Sequence, residues 1–135
     1  MTAGPGESRT HLGIDERLCG TPRQIEPGRA VVDWRGGAET SADAHGLVHG
    51  GFVFGLADYA AMLAVNEPNV VLAAARIRFL SPVKVGEPLT ADASVTESEG
   101  GKHRVEVEVR RQDTLVMTGS FRCVVTPRHV LGEAE

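Results

Sequence analysis

Residues 52–65 are apolar on every side apart from a single carboxylate, Asp58. The run is too long for one strand and is richer in Ala, Leu and Met than in β-branched residues, which predicts a helix buried all round, over about 51–66. Pro68 forbids continuation soon after Asn66. A helix of this kind needs a cover on every side, and the remaining chain must supply it.

From Val70 the apolar period becomes two. Val105, Val107 and Val109 alternate with Glu106, Glu108 and Arg110, and Ala91, Ala93 and Val95 alternate with polar neighbours, the pattern of strands with one wet face. Gly100-Gly101 marks a hairpin between these segments. Four long strands are expected, over 70–80, 88–97, 103–112 and 115–126. A shorter pair is expected around the Pro27-Gly28 turn, the later of them carrying Val31, Val32 and Trp34. The helix, about 24 Å long at ~1.5 Å per residue, is the one element able to cover the apolar face of such a sheet. A sheet curled around one central helix follows, with Gly55, Ala57, Ala60, Ala61 and Ala64 permitting close approach of the strands or of a second helix.

The 135 residues suit one domain, over 12–127, with residues 1–11 as a mobile leader and 128–135 as a mobile tail, both poor in apolar side chains. No run approaches the ~18 apolar residues of a membrane span, and the N-terminus lacks an apolar targeting core, so a cytoplasmic protein without a membrane partner is expected. Fourteen Lys and Arg against 18 Asp and Glu give a net charge of −4, the wrong sign for a protein whose main partner is nucleic acid. Six aromatic rings (four Phe, one Trp and one Tyr) are too few for a base-stacking platform. Cys19 and Cys123 form no CxxC pair and read as free thiols filling apolar space.

Chemistry concentrates in residues 43–51, Asp43-Ala44-His45-Gly46-Leu47-Val48-His49-Gly50-Gly51, which lead into the helix that carries Asp58. A glycine pair at a helix start exposes N–H groups at the positive end of the dipole, suited to an anion or a developing oxyanion. A carboxylate two turns into an apolar helix is costly unless it is paired or used.

The stretch His49-Gly50-Gly51, Phe54, Leu56-Ala57-Asp58, together with Phe79-Leu80-Ser81-Pro82-Val83-Lys84-Val85-Gly86, resembles the hotdog-fold acyl-CoA thioesterases of the phenylacetate-pathway type. The likeness covers roughly 25–126. It implies an α+β hotdog fold, an antiparallel sheet wrapped around one long central helix, paired into homodimers and often into tetramers. The implied activity is hydrolysis of an acyl-CoA thioester without metal or cofactor. Carried over by position, Gly50 would donate its backbone N–H to the thioester oxygen, His49 would orient the site, and Asp58 would act as general base or nucleophile. The chain departs from the family pattern at Asp43, where Asn is frequent, and at Met62, where some relatives have Ser or Thr.

Gly50 and Asp58, eight residues apart on one helix, stand about 12 Å apart along its axis, so a single carbonyl cannot meet both from one chain. A homodimer with shared sites is therefore expected. Gly51, Phe54, Met62 and Asp43 complete the expected substrate contacts, with Phe54 and Met62 one turn either side of Asp58 forming an acyl pocket that favours medium-chain or aryl groups. Arg76, Arg78, Lys84, Lys102 and Arg104 read as outward strand charges from which the CoA phosphates would draw a partner.

Other readings stand beside these. Asp58 could be a structural carboxylate at a dimer interface, and Gly50-Gly51 a tight helix entry. Asp43, His45, His49 and Asp58 match no zinc spacing. An acyl-CoA-sensing module of the same fold would need the pocket without the carboxylate, and the absence of a recognisable DNA-binding segment in these 135 residues disfavours a stand-alone regulator. A hotdog dehydratase would place its His and acid in different motifs. Asp58 favours the hydrolase.

Overall fold

A computed structural model of the chain describes residues 6–132. In chain order it contains α1 (Glu16–Cys19), β1 (Thr21–Glu26), β2 (Arg29–Arg35), a 3-10 turn (Ala38–Thr40), α2 (Gly50–Val65), β3 (Val70–Phe79), β4 (Pro88–Glu99), β5 (Lys102–Arg111) and β6 (Thr114–Val125). The strands form one antiparallel sheet in the order β1-β2-β4-β5-β6-β3, and α2 lies along its concave face. This is the hotdog fold.

The alternating residues do what their period requires. Val105, Val107 and Val109 of β5 are buried toward α2, as are Leu89, Ala91 and Ala93 of β4 and Phe121 and Cys123 of β6. Glu106 and Glu108 face solvent between them. The turn at Gly28 takes a positive φ of 79°, and the β4–β5 hairpin turns through Gly100 and Gly101 at φ 58° and 82°, both conformations that suit glycine.

Leu56, Ala57, Ala60, Ala61 and Leu63 of α2 are fully buried, so the small side chains let the sheet close on the helix. The helix runs one residue earlier at each end than its apolar pattern suggests. His49 takes the N-cap position, and Asn66 ends the helix in the left-handed region (φ 53°), its N–H donating to the Met62 carbonyl at 2.7 Å.

The leader expected over 1–11 is tied down where it is described. Gly6 N–H donates to the Ile25 carbonyl at 3.1 Å, Arg9 N–H donates to Asn66 Oδ1 at 2.8 Å, and Asn66 Nδ2 donates to the Glu7 carbonyl at 3.0 Å. Thr10 is buried. Residues 6–10 thus strap the C-terminal end of α2, because the side chain of its capping Asn66 offers both a donor and an acceptor to a passing backbone. At the other end, residues 128–132 lie exposed. Residues 1–5 of the expected leader and 133–135 of the expected tail lie outside the described residues.

Candidate active site

The loop before α2 is held from two sides. His49 N–H donates to the Thr40 carbonyl at 2.9 Å, and Val48 N–H donates to the Val83 carbonyl at 2.8 Å. Leu47 bridges to Lys84 and Val48 to Ser41. Asp43 staples the loop from within, its Oδ1 accepting from the N–H of His45 (2.9 Å) and of Leu47 (3.2 Å). The start of α2 is therefore a fixed object, with Asp43 pointing its carboxylate into the loop backbone.

At that start, the N–H groups of Gly50 and Gly51 carry no hydrogen bond among the described residues, as expected of the first turn of a helix. His49 is exposed and folds its ring over Gly51, where a Cβ would come within 3.2 Å of Cδ2. The ring also meets Phe52 edge-on at a centroid distance of 6.2 Å. A side chain at 51 would push the exposed His49 ring aside by a few tenths of an ångström.

Two turns on, Asp58 is half-buried, and its Oδ1 is buried with no partner among the described residues. Burial pushes its carboxyl up to about 6, because the charged form loses water and gains no donor in return. An acceptor left so is expensive and calls for an explanation that packing does not provide. Cys123 is pushed up to about 12 by its own burial and then by the Asp58 charge, and burial followed by the same charge also raises Cys19. Both thiols stay protonated at neutral pH and are poor nucleophiles.

An apolar cavity of about 290 Å³ opens beside Gly50, lined by Val48, Val53, Phe79, Leu80, Pro82, Val83 and their neighbours. Phe54 and Met62, expected to line an acyl pocket, are not among its lining residues. Met62 is 1% exposed, one of the largest fully buried core side chains. Phe54 stacks on Phe121 at 5.7 Å between helix and sheet. Gly50 and the cavity thus sit at one end of α2 while Asp58 stands two turns away. Residues 79–83 of this lining fall in the 79–86 segment that the sequence singles out, whose pairing with residues 46–48 only the fold displays.

Among the basic residues, Lys84 lies at the site loop, its Cγ 3.7 Å from where a Cβ on Gly46 would sit. Arg76, Lys102 and Arg104 line a separate open groove over the β-sheet, and Arg104 is engaged there by Glu97 and Glu106. Asp43, His45, His49 and Asp58 do not converge: among the described residues no three His, Cys, Asp or Glu side chains are placed to hold a metal ion.

The sequence profile of the thioesterase superfamily matches residues 45–118. Among solved structures, the fold is similar to the uncharacterized protein PH1136 from Pyrococcus horikoshii (52% identity, TM-score 0.93, covering 95% of this chain and 98% of that one). It is also similar to the E. coli PaaI protein of the phenylacetic acid degradation operon (29% identity, TM-score 0.72, 79% and 83% covered). Among curated proteins, the chain is 50% identical over 113 residues to a methylthioribose-1-phosphate isomerase of Aquifex aeolicus, covering 84% of this chain and 25% of that protein. It is 36% identical over 77 residues to the transcription factor FapR of Bacillus cereus, covering 56% and 39%. The chain thus spans between a quarter and two-fifths of the length of these two curated relatives.

Proposed function

We propose, from the premise that the chain belongs to the thioesterase superfamily, that it hydrolyses the thioester of an acyl-CoA to a free acid and CoA. The observation that carries this reading is the buried, unpartnered Oδ1 of Asp58 on the helix whose first turn presents the free N–H of Gly50. One is a base or nucleophile kept dry, and the other is a donor aimed at an oxyanion.

The reaction assigns each group one task. The Gly50 N–H, at the positive end of α2, polarises the thioester carbonyl and holds the negative charge that grows on its oxygen. The Asp58 carboxylate takes a proton from water as that water adds to the carbonyl carbon, or itself adds to that carbon and is later released by water. The C–S bond then breaks, and the CoA sulfur leaves as a thiolate that takes up a proton. His49 and Gly51 shape the entrance, and the apolar cavity beside Gly50 takes the acyl group, a medium-length chain or an aryl ring. The cytoplasm is the proposed compartment; among the described residues no helix is long and apolar enough to cross a membrane.

Gly50 and Asp58 of one chain are about 12 Å apart along the helix, so the working site takes Gly50 from one subunit and Asp58 from a second copy. Strand β3 supports such a homodimer: it is a ten-residue edge with residues 73–76 and 78–79 exposed, a ready template for pairing with another copy. Two dimers could pair again into a tetramer.

A second reading, an acyl-CoA-binding module without hydrolysis, draws on the likeness to FapR, a transcription factor. A panel of acyl-CoA thioesters with a free-thiol readout separates the two. Release of CoA by the parent and its loss in Asp58→Asn support the hydrolase, whereas binding without release supports the module.

A further inference from the structure

Lys84 follows directly on the residues that wall the cavity, and it bridges to Leu47 in the loop that leads to His49 and Gly50. Glu87 closes a tight turn with it: the Glu87 N–H donates to the Lys84 carbonyl at 3.1 Å, and the Lys84 N–H donates to Glu87 Oε1 at 2.7 Å. A carboxylate held this near the Lys84 backbone cancels the field of its ammonium unless another cation answers it. Among the described residues no carboxylate lies within 4 Å of that ammonium.

The cation that answers Glu87 is Arg111, from the end of β5. Its Nη1 donates to the Pro82 carbonyl at 2.7 Å and stands 3.5 Å from Glu87 Oε1, the same oxygen that takes the Lys84 N–H. The Arg111 and Glu87 side chains are 25% and 36% exposed, the most shielded ion pair among the described residues, so solvent screens them less than the pairs on the open sheet. A guanidinium presents several donors in a fixed plane, which suits it to two acceptors at once better than an ammonium on a free stem. Lys84, Glu87 and Arg111 together carry one net positive charge; without Arg111 they carry none.

We infer that Arg111 is a positioning residue for CoA binding: by engaging Glu87 and the Pro82 carbonyl, it keeps the charge of Lys84 available to the phosphates of the substrate. This rests on the acyl-CoA reading and adds to it the residue that maintains a cation at the entrance of an acidic chain. A phosphate group approaching Lys84 meets a net attraction while Glu87 is answered, and none when it is not. The effect falls on binding and not on the thioester carbonyl.

The test measures kcat and KM for hexanoyl-CoA and the calorimetric Kd for CoA, at low and high salt. It compares the parent with Arg111→Gln, Arg111→Lys, Glu87→Gln and the double variant Arg111→Gln with Glu87→Gln, folding being checked by thermal unfolding. At low salt Arg111→Gln should raise KM and Kd about threefold or more with kcat within about twofold of the parent, and Arg111→Lys, which keeps the charge, should raise them less. An amide at 87 still offers an oxygen to the Lys84 N–H, so Glu87→Gln alone should lower both constants, and the double variant should return them to about the parent values. High salt should shrink all these differences. Unchanged constants in folded Arg111→Gln overturn the inference. So does a rise that Glu87→Gln does not reverse, which would leave Arg111 as a brace of the Pro82 wall. If the Arg111 variants do not fold, Glu87→Gln decides alone, and unchanged constants there overturn the inference as well. A parent that binds CoA but hydrolyses no thioester fails the hydrolase reading, while Kd still decides the role of Arg111. A parent that binds no CoA overturns both.

Discussion

Asp43 and Leu47 are joined by a carboxylate–amide hydrogen bond of 3.2 Å, and the same Oδ1 accepts the His45 N–H at 2.9 Å. Asp43 therefore shapes the loop that delivers His49 and Gly50. The resemblance to phenylacetate-pathway thioesterases has Asn at this place, and an amide oxygen can accept the same two bonds.

Asp43→Asn should accordingly keep both stability and turnover close to the parent. Asp43→Ala removes the acceptor and should cost about 1 kcal/mol in thermal or urea unfolding, with turnover reduced as the loop loosens. If the alanine variant were as stable as the parent, the staple would carry no weight.

For Asp58 the expected kinetic result is a fall of at least ~100-fold in kcat for Asp58→Asn, the lower range for loss of a general base, with binding of a thioether analogue retained. Because the carboxyl sits at about 6, kcat/KM of the parent should climb with pH through that value and level off above it. Normal turnover by the amide variant would return Asp58 to a structural role.

The same shift fixes a stability prediction. Below the ordinary carboxylate value of 3.8 the group is protonated in both states and contributes nothing. Between 3.8 and about 6 the unfolded chain releases the proton while the folded chain keeps it, so folding loses stability as pH rises, and the loss is complete above about 6. Asp58→Asn should thus be more stable than the parent at pH 7, by up to about 3 kcal/mol, and close to it near pH 3.5. Unfolding curves at the two pH values decide this, and an equal difference at both would contradict it.

A shared site has a direct test because position 50 is the first residue of α2. Proline is well tolerated there, its missing N–H being one that the helix does not use, and His49 before it is already extended at ψ 132°. Gly50→Pro should therefore fold while losing the oxyanion donor. Mixing it with Asp58→Ala under subunit exchange should restore activity in heterodimers, where one of the two sites has both groups intact. Verified heterodimers without recovery would place both groups in one chain.

The sequence carried the central helix and the valine ladder of β5 plainly, because burial on all sides and burial on one side leave different periods. It did not carry the strap over residues 6–10, held by two bonds between its backbone and the Asn66 side chain and by one from Gly6 to Ile25; a polar leader that docks has the composition of one that does not. Nor did it locate the apolar cavity beside Gly50. Helical spacing places Phe54 and Met62 one turn either side of Asp58, but only the packed fold shows that the sheet covers Met62 and leaves Phe79 and Leu80 bare at the end of β3. The motif residues were legible as chemistry, and their separation along α2 was legible as distance. The wall opposite them, from Phe79 to Val83, comes from the end of β3 and the segment after it, at least 21 residues beyond Asp58, and is joined to the loop through Val48 and Val83.

The cavity beside Gly50 suits apolar acyl groups, and the chain's acidic charge opposes the CoA phosphates at its entrance. Its walls are mainly apolar and its volume is about 290 Å³, so an acetyl group leaves most of it unfilled. Each methylene moved out of water contributes ~0.8 kcal/mol, and four of them set an upper bound of about 3 kcal/mol between hexanoyl and acetyl. Hexanoyl- and phenylacetyl-CoA should therefore exceed acetyl-CoA in kcat/KM by about 10- to 100-fold, after allowance for imperfect fit. The CoA end carries phosphates, and the chain's net charge of −4 works against them at long range. Lys84, beside the site loop, has no ion-pair partner among the described residues and is the basic group placed to offset that repulsion. KM should rise with salt in the parent, and Lys84→Ala should show a higher KM with a weaker salt dependence and an unaltered preference among acyl groups. A preference for acetyl would refute the apolar pocket, while a salt-independent KM in the parent would refute the basic entrance.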